Sequence, residues 1–284
     1  MSADDHPATV APHLRSPERI YDGYIFDLDG TIYLGDELLP GAADTVARLR
    51  ELGSKTVFVS NNPTRDPEMY AAKLVRLGID AETNDIINPT ITLRDWLLAE
   101  HPQAALFVIG EAPLCRVLET AGLRLTDDPE QIDIVVASYD RGFDYRKLQI
   151  AFDALWRHRR ATLVTTNLDP YCPMPGGRGE PDAAAVVAAI EACTGVKCEM
   201  NVGKPSALMA RTVLSRLDLA PGQCVMVGDR LSTDIAMGVG AGMDSVLVLT
   251  GDTTLAAWSN AAPTDRPTWV VESVAALLPD CRRV

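Results

Sequence analysis

Short runs of apolar residues, each running into polar turn residues, punctuate the chain. Residues 24–30 read YIFDLDG, 56–62 read TVFVSNN, 224–229 read CVMVGD and 245–251 read SVLVLTG. Runs that are apolar at nearly every position suit parallel strands covered on both faces. Between the first two, GAADTVARLRELG places Ala42, Val46, Leu49 and Leu52 on one helical face. After Lys204, PSALMARTVLSRL repeats Met209, Val213 and Leu217 every four residues, and Pro205 suits a first helical position. This alternation predicts the α/β class, with a doubly wound, Rossmann-like parallel sheet.

The middle of the chain repeats the alternation with different content. ALFVIG (105–110), IDIVVAS (132–138), TLVTTN (162–167) and KCEMNVG (197–203) read as strands. In DYRKLQIAFDALWRH, Leu148, Phe152 and Leu155 share a helical face, and DAAAVVAAIEACTG ends at Gly195, which suits a helix C-terminal cap. The pattern predicts a second α/β domain, 89–200, inserted into a core of 21–88 and 201–284, behind a flexible N-terminal tail over 1–20.

A length of 284 residues accommodates two domains without disulfides or a structural metal. No apolar run approaches the ~18 residues of a membrane span. The first twenty residues are polar and lack a signal-peptide core, so a soluble cytoplasmic protein is expected. The formal net charge of -13 disfavours nucleic acid and anionic membranes as partners. It also means that an anionic substrate needs local cations or a metal to overcome the overall field. The six cysteines, Cys115, Cys172, Cys193, Cys198, Cys224 and Cys281, form no CxxC pair and have no His pair beside them, which argues against zinc and for reduced packing residues.

Four clusters carry candidate chemistry, each near the C-terminal end of an expected strand, where open parallel sheets bind ligands. The first is Asp27-Leu28-Asp29-Gly30-Thr31. Both carboxylates can face one site, and two close carboxylates need a cation or a shared proton. Magnesium suits them as a hard cation that prefers oxygen ligands. The second is Ser60-Asn61-Asn62, whose hydroxyl and amides can donate to a phosphoryl oxygen, although the run is also an ordinary turn. The third is Gly203-Lys204-Pro205, a lysine at the mouth of a helix and, alone, a common surface tripeptide. The fourth follows an apolar strand and pairs Asp229 with Asp234, although Asp234 also suits a helix N-terminus on dipole grounds.

Taken in order, DxDGT, Ser-Asn-Asn, lysine and GDxxxxD resemble the four-motif set of the haloacid dehalogenase superfamily, over nearly the whole chain from about residue 20. The insertion between the second and third motifs, with DLDGTIY, VSNN and VGKP, resembles subclass IIA, which includes NagD-type nucleotide and sugar phosphatases, 4-nitrophenyl phosphatases, phosphoglycolate and glycerol phosphate phosphatases, and a vitamin B6 phosphate phosphatase. The resemblance implies a Mg²⁺-dependent phosphomonoesterase acting on a small phosphorylated metabolite through an aspartyl-phosphate intermediate. It implies that Asp27 is the nucleophile and Asp29 the general acid and base, which also offers a backbone carbonyl to the metal. Ser60, Asn61 and Lys204 bind the phosphoryl group, Asp229 ligates magnesium, and Asp234 supports the metal shell and Lys204. It further implies a homodimer formed through the inserted domain.

Within the insertion, residues 165–173 read TTNLDPYCP. Subclass IIA enzymes carry a TN-x-D segment here whose loop closes over the substrate. In the vitamin B6 branch the run resembles Asp-Pro-Trp-His-Pro. Cys172 stands at the His position, which argues against pyridoxal phosphate. Further on, Arg178, Glu180 and Asp182 stand where the family has small residues. They suit a sugar or polyol phosphate, or else cap the helix beginning near Pro181. Asn167, Asp169, Tyr171, Cys172, Arg178 and Asp182 are therefore the candidate substrate-selecting residues. Dehalogenases usually lack the second aspartate, so Asp29 argues against that activity. A phosphotransferase or mutase would share all four motifs, whereas a non-catalytic phosphate sensor would have little use for both Asp27 and Asp29.

Overall fold

A computed structural model describes residues 14–174 and 178–278. Its strands are β1 (Gly23–Asp27), β2 (Tyr33–Leu34), β3 (Glu37–Leu38), β4 (Lys55–Val59), β5 (Ile86–Ile87), β6 (Ala105–Ile109), β7 (Arg124–Leu125), β8 (Ile134–Ala137), β9 (Thr162–Thr165), β10 (Tyr171–Met174), β11 (Arg178–Pro181), β12 (Met200–Asn201), β13 (Cys224–Gly228), β14 (Asp244–Val248) and β15 (Trp269–Val271). Its helices are α1 (Ala42–Glu51), α2 (Pro67–Arg76), α3 (Pro89–Glu100), α4 (Ala112–Thr120), α5 (Tyr145–Phe152), α6 (Ala183–Thr194), α7 (Ala207–Leu217), α8 (Ala236–Ala241) and α9 (Leu255–Ser259).

Two parallel sheets result. One has the order β15-β14-β13-β1-β4-β5, the other β12-β9-β8-β6-β7. Successive side chains of a strand point to opposite faces. Accordingly Tyr24 and Phe26 of β1 join α1 and α2 in one core, while Ile25 packs with Met209, Val213 and Leu217 of α7 on the other side. The second sheet divides likewise: Val135 and Ala137 of β8 pack with α5 and α6, Ile134 and Val136 with α3 and α4. Covering on both faces explains why these strands are apolar at every position. Among the described residues no helix is long and apolar enough to cross a membrane.

As expected, the strands give way to turns at the polar residues: the ladder through β1 stops at Asp27 and that through β4 at Val59. Several other expectations shift. The strand expected over 197–203 shrinks to Met200–Asn201. Pro205 is not the first residue of α7; Ser206 caps that helix by accepting from the Met209 N–H at 3.2 Å. The helix after β11 begins at Ala183, with Asp182 as its cap and Gly195 left-handed at its end. Leu52 is 46% exposed, because α1 ends at Glu51 and the chain turns away. The turn-rich segment after Asp169 contains an antiparallel hairpin, β10–β11. Of the tail expected over 1–20, residues 1–13 lie outside the described residues, as do Gly176, Gly177 and Cys281. Arg15 pairs with Val270 of β15, so the remainder of the tail is tied to a sheet edge.

Candidate active site

The register of three neighbouring strands builds the floor of the site. Asp27 pairs with Val59 and Phe26 with Val227, so Asp27, Ser60 and Asp229 emerge side by side. Beyond Asp27 the chain winds into a tight turn in which the Leu28 carbonyl accepts from Thr31, Ile32 and Tyr33. Gly30 is required there. Its φ is +85°, and a Cβ would lie 2.6 Å from Oδ2 of Asp229. It is this turn, not strand alternation, that lets Asp27 and Asp29 line one cavity of about 450 Å³.

Lys204 arrives from the other sheet, just beyond β12. It is 3% exposed, and its ammonium donates to Oδ1 of Asp27 and, at 2.6 Å, to Oδ1 of Asp234. Oδ2 of Asp234 accepts from the Arg230 N–H at 3.0 Å. Oδ2 of Asp229 accepts from the Asp252 N–H at 2.6 Å, while its Oδ1 is buried without a hydrogen-bond partner. Gly228 and Gly251 leave room for these carboxylates: a Cβ would lie 2.3 Å from Asp234 in one case and 2.0 Å from Asp229 in the other.

Carboxylate oxygens of Asp27, Asp229 and Asp234 lie within 4.8 Å of one another. Three buried carboxylates around one ammonium leave surplus negative charge, and Asp229 Oδ1 accepts no hydrogen bond. A divalent cation with hard oxygen preferences fits this donor set. The Asp29 carboxylate lies outside this group of three, which leaves its main-chain carbonyl as the ligand the resemblance assigns.

The charge states follow the crowding. Burial pushes the Asp27 carboxyl well up; Lys204 pulls it down, and Asp234 and Asp229 add to the rise. Asp229 is pushed up to about 6, first by burial and then by Asp234. Burial opposes the charge on Lys204, but Asp234 and Asp27 outweigh it and hold the ammonium above its ordinary value. Asp29 is also raised by burial, against the opposing pull of Lys73 and Arg65.

The second motif divides its tasks. Ser60 Oγ accepts from the Asn62 N–H at 3.1 Å and shares a hydrogen bond of 3.1 Å with Tyr70. The Asn61 side chain is turned toward Lys204: Oδ1 accepts the Lys204 N–H at 2.7 Å, and Nδ2 donates to the Lys204 carbonyl at 3.2 Å and to Oδ2 of Asp169 at 2.9 Å.

Of the candidate selecting residues, Asp169, Tyr171, Cys172 and Asp182 line the cavity. Asp182 both caps α6 and faces the cavity, and burial pushes its carboxyl up to about 6. Asn167 is buried and holds Asp182 and Asp169 by hydrogen bonds of 3.0 and 3.1 Å. Arg178 is exposed at the start of β11 and is not among the lining residues, so the expected reach into the site is not seen. Sequence reading passed over Arg65, Lys73, Tyr139, Arg141 and Arg230, which also line the cavity. Arg230 stood in the open, inside the GDxxxxD motif, whereas Lys73 lies on α2 and Arg141 comes from the other sheet with no local signal. Arg65, Lys73, Arg141 and Arg230 offset the protein's net negative field where an anion would enter.

A family model described as haloacid dehalogenase-like hydrolase matches residues 24–124, and a second, HAD-hydrolase-like, matches 201–277. The chain is 36% identical over 229 residues to the sugar-phosphatase AraL of Bacillus subtilis, covering 81% of this chain and 83% of that protein. It is 34% identical to chronophin of Bos taurus, covering 90% and 92% of the two chains. Among solved structures, a p-nitrophenyl phosphatase from Archaeoglobus fulgidus superposes with a TM-score of 0.84 at 30% identity, over 91% of this chain and 98% of that one. A glycerol phosphate phosphatase from Mycobacterium tuberculosis in complex with magnesium gives 0.83 at 30% identity, over 93% and 78%. The chain belongs to the haloacid dehalogenase-like hydrolases, within their NagD-like subclass of phosphatases.

Proposed function

We propose that the chain hydrolyses phosphomonoesters of small metabolites, sugar, polyol, nucleotide or aryl phosphates among them, through an aspartyl-phosphate formed on Asp27. The observation that carries this reading is the placement of the Lys204 ammonium between Asp27 and Asp234, beside the unpartnered oxygen of Asp229.

Asp27, Asp229 and the main-chain carbonyl of Asp29 would hold Mg²⁺, with Asp234 supporting them. When bound, the ion supplies positive charge that offsets the repulsion between a phosphate dianion and a carboxylate. Lys204 adds a second, fixed positive charge at the same point, and Ser60 with the Asn61 main chain orients the phosphoryl group for in-line attack. A carboxylate oxygen of Asp27 bonds to phosphorus as the bond to the ester oxygen breaks. Asp29, whose burial favours the protonated form, gives its proton to that oxygen. Asp29 then takes a proton from water, the water oxygen attacks phosphorus, and Asp27 is released with inorganic phosphate. Covalent capture divides one slow hydrolysis into two faster steps.

The segment 89–200 acts in this reading as a cap over a core of 21–88 and 201–284. Tyr171, Cys172 and Asp182 then face the leaving group, and a hydroxyl-bearing one suits the Asp182 carboxylate. A screen of phosphorylated metabolites with Mg²⁺, read as free phosphate, tests the function. Release from several of them is expected, and none from any substrate, 4-nitrophenyl phosphate included, would overturn it.

A further inference from the structure

Asp169 lies between β9 and the β10–β11 hairpin, and both of its carboxylate oxygens are engaged. Oδ2 accepts from Nδ2 of Asn61 at 2.9 Å and from Nδ2 of Asn167 at 3.1 Å, and Oδ1 lies 3.8 Å from Nη1 of Arg230. Asn61 is the same side chain that grips the main chain of Lys204 at both its N–H and its carbonyl. Gly203 closes the junction: a Cβ there would lie 2.4 Å from the Thr166 carbonyl oxygen and 2.7 Å from Oδ1 of Asn61. The 166–169 segment therefore packs directly on the link between Asn61 and Lys204. Asn167 extends the chain of contacts to Asp182 and so to the first turn of α6.

We propose that Asp169 is a positioning residue for the phosphoryl site, fixing through Asn61 the main chain of Lys204 and hence the placement of its ammonium on Asp27. A primary amide has two N–H donors and one acceptor oxygen, and here the carboxylate of Asp169 and the Lys204 main chain together fix which way the Asn61 amide faces. A charged acceptor makes the stronger hydrogen bond. Without it the amide can rotate, and the Lys204 N–H loses the oxygen that holds it. Small displacements of a positioned group cost rate steeply. This distinguishes Asp169 from a leaving-group contact: a contact alters one substrate relative to another, whereas a positioning residue alters turnover of every substrate by the same factor. Only the kinetic consequence rests on the phosphatase reading above.

The test compares wild type, Asp169→Ala and Asp169→Asn as full-length protein with Mg²⁺, on 4-nitrophenyl phosphate and glycerol phosphate, together with amide hydrogen exchange over residues 201–206. For Asp169→Ala, kcat is expected to fall by about 10²-fold on both substrates, with KM nearly constant. Exchange over 201–206 is expected to quicken. Asp169→Asn conserves volume and keeps an acceptor for Asn61, so it is expected to recover part of kcat and part of the protection. It also carries the comparison should the alanine variant not fold. Adding Asn61→Ala to Asp169→Ala should cost little beyond the larger single effect. Loss confined to one substrate, or exchange over 201–206 unchanged in both variants, overturns the proposal. Exchange needs no turnover, so a wild type that releases no phosphate refutes the phosphatase reading and still leaves the role of Asp169 to be decided by the exchange result.

Discussion

The Lys204 ammonium donates to Oδ1 of Asp27 across 177 positions of sequence. One residue ends a strand of the first sheet, and the other follows the edge strand of the second. The contact exists only once both sheets are formed and the returning chain at 202–206 is seated between them.

Asp27→Asn is expected to reduce phosphatase turnover to background while the unfolding midpoint stays close to that of wild type. The amide fills the same space and is a poor nucleophile. Lys204 keeps its hydrogen bond to Asp234. Kinetics and circular dichroism on one preparation check both halves, and substantial residual kcat would exclude the covalent route.

Lys204→Ala is expected to lower kcat by about 10²–10³-fold, as for loss of a preorganised donor. Burial adds a second effect, since the change leaves Asp27 and Asp234 facing each other without their shared cation. Removing one partner of such a buried cluster costs about 3 kcal/mol. Urea unfolding alongside kinetics separates the two, and a variant with normal kcat would remove Lys204 from the phosphoryl site.

Chelation with EDTA is expected to abolish activity, and added Mg²⁺ to restore it. A ligand that binds the folded state alone also raises the unfolding midpoint. The midpoint of wild type should therefore rise with Mg²⁺, and that of Asp229→Asn should not. Full activity after exhaustive chelation would take the metal out of the scheme.

Asp182 gives a pH dependence of stability. Its folded value is raised from 3.8 to about 6, chiefly by burial, so the folded state favours the protonated form. The stability it contributes is fully present below pH 3.8, is lost as pH rises through about 6, and stays lost above. The interval corresponds to about 3 kcal/mol at most. Asp182→Asn keeps the acceptor for Ala183 and Asn167 but does not ionise. It should be more stable than wild type at pH 8, with the advantage shrinking toward pH 4. Calorimetry across that range checks the sign.

Gly203→Ala places a methyl group against the Thr166 carbonyl and the Asn61 amide, and the amide cannot move without disturbing Lys204. A stability loss of about 1–3 kcal/mol is expected, as for overpacking, together with a fall in kcat. Wild-type values for both would mean that the junction tolerates separation.

Much of this molecule was legible in local pattern. An unbroken run such as YIFD needs a covered sheet, and β1 is buried at every position. Met209, Val213 and Leu217, four apart, share the face of α7 that packs on that sheet. The four polar clusters stood out because each interrupts an apolar run where a ladder must end. Side-chain direction at those clusters was not legible. Asn61 turns to Lys204, 143 positions away, and to Asp169, 108 away. Arg141 reaches the cavity from the second sheet while paired with Glu111. Arg178, singled out with Asp182, stays exposed, because the hairpin register places it opposite Met174, away from the helix that Asp182 caps. Backbone preference and burial periodicity act between neighbours a few residues apart, so they leave a mark on the sequence. The meeting of three carboxylates, one ammonium and an amide depends on which strand ends lie side by side, and that is set by the packing of two sheets against the returning chain.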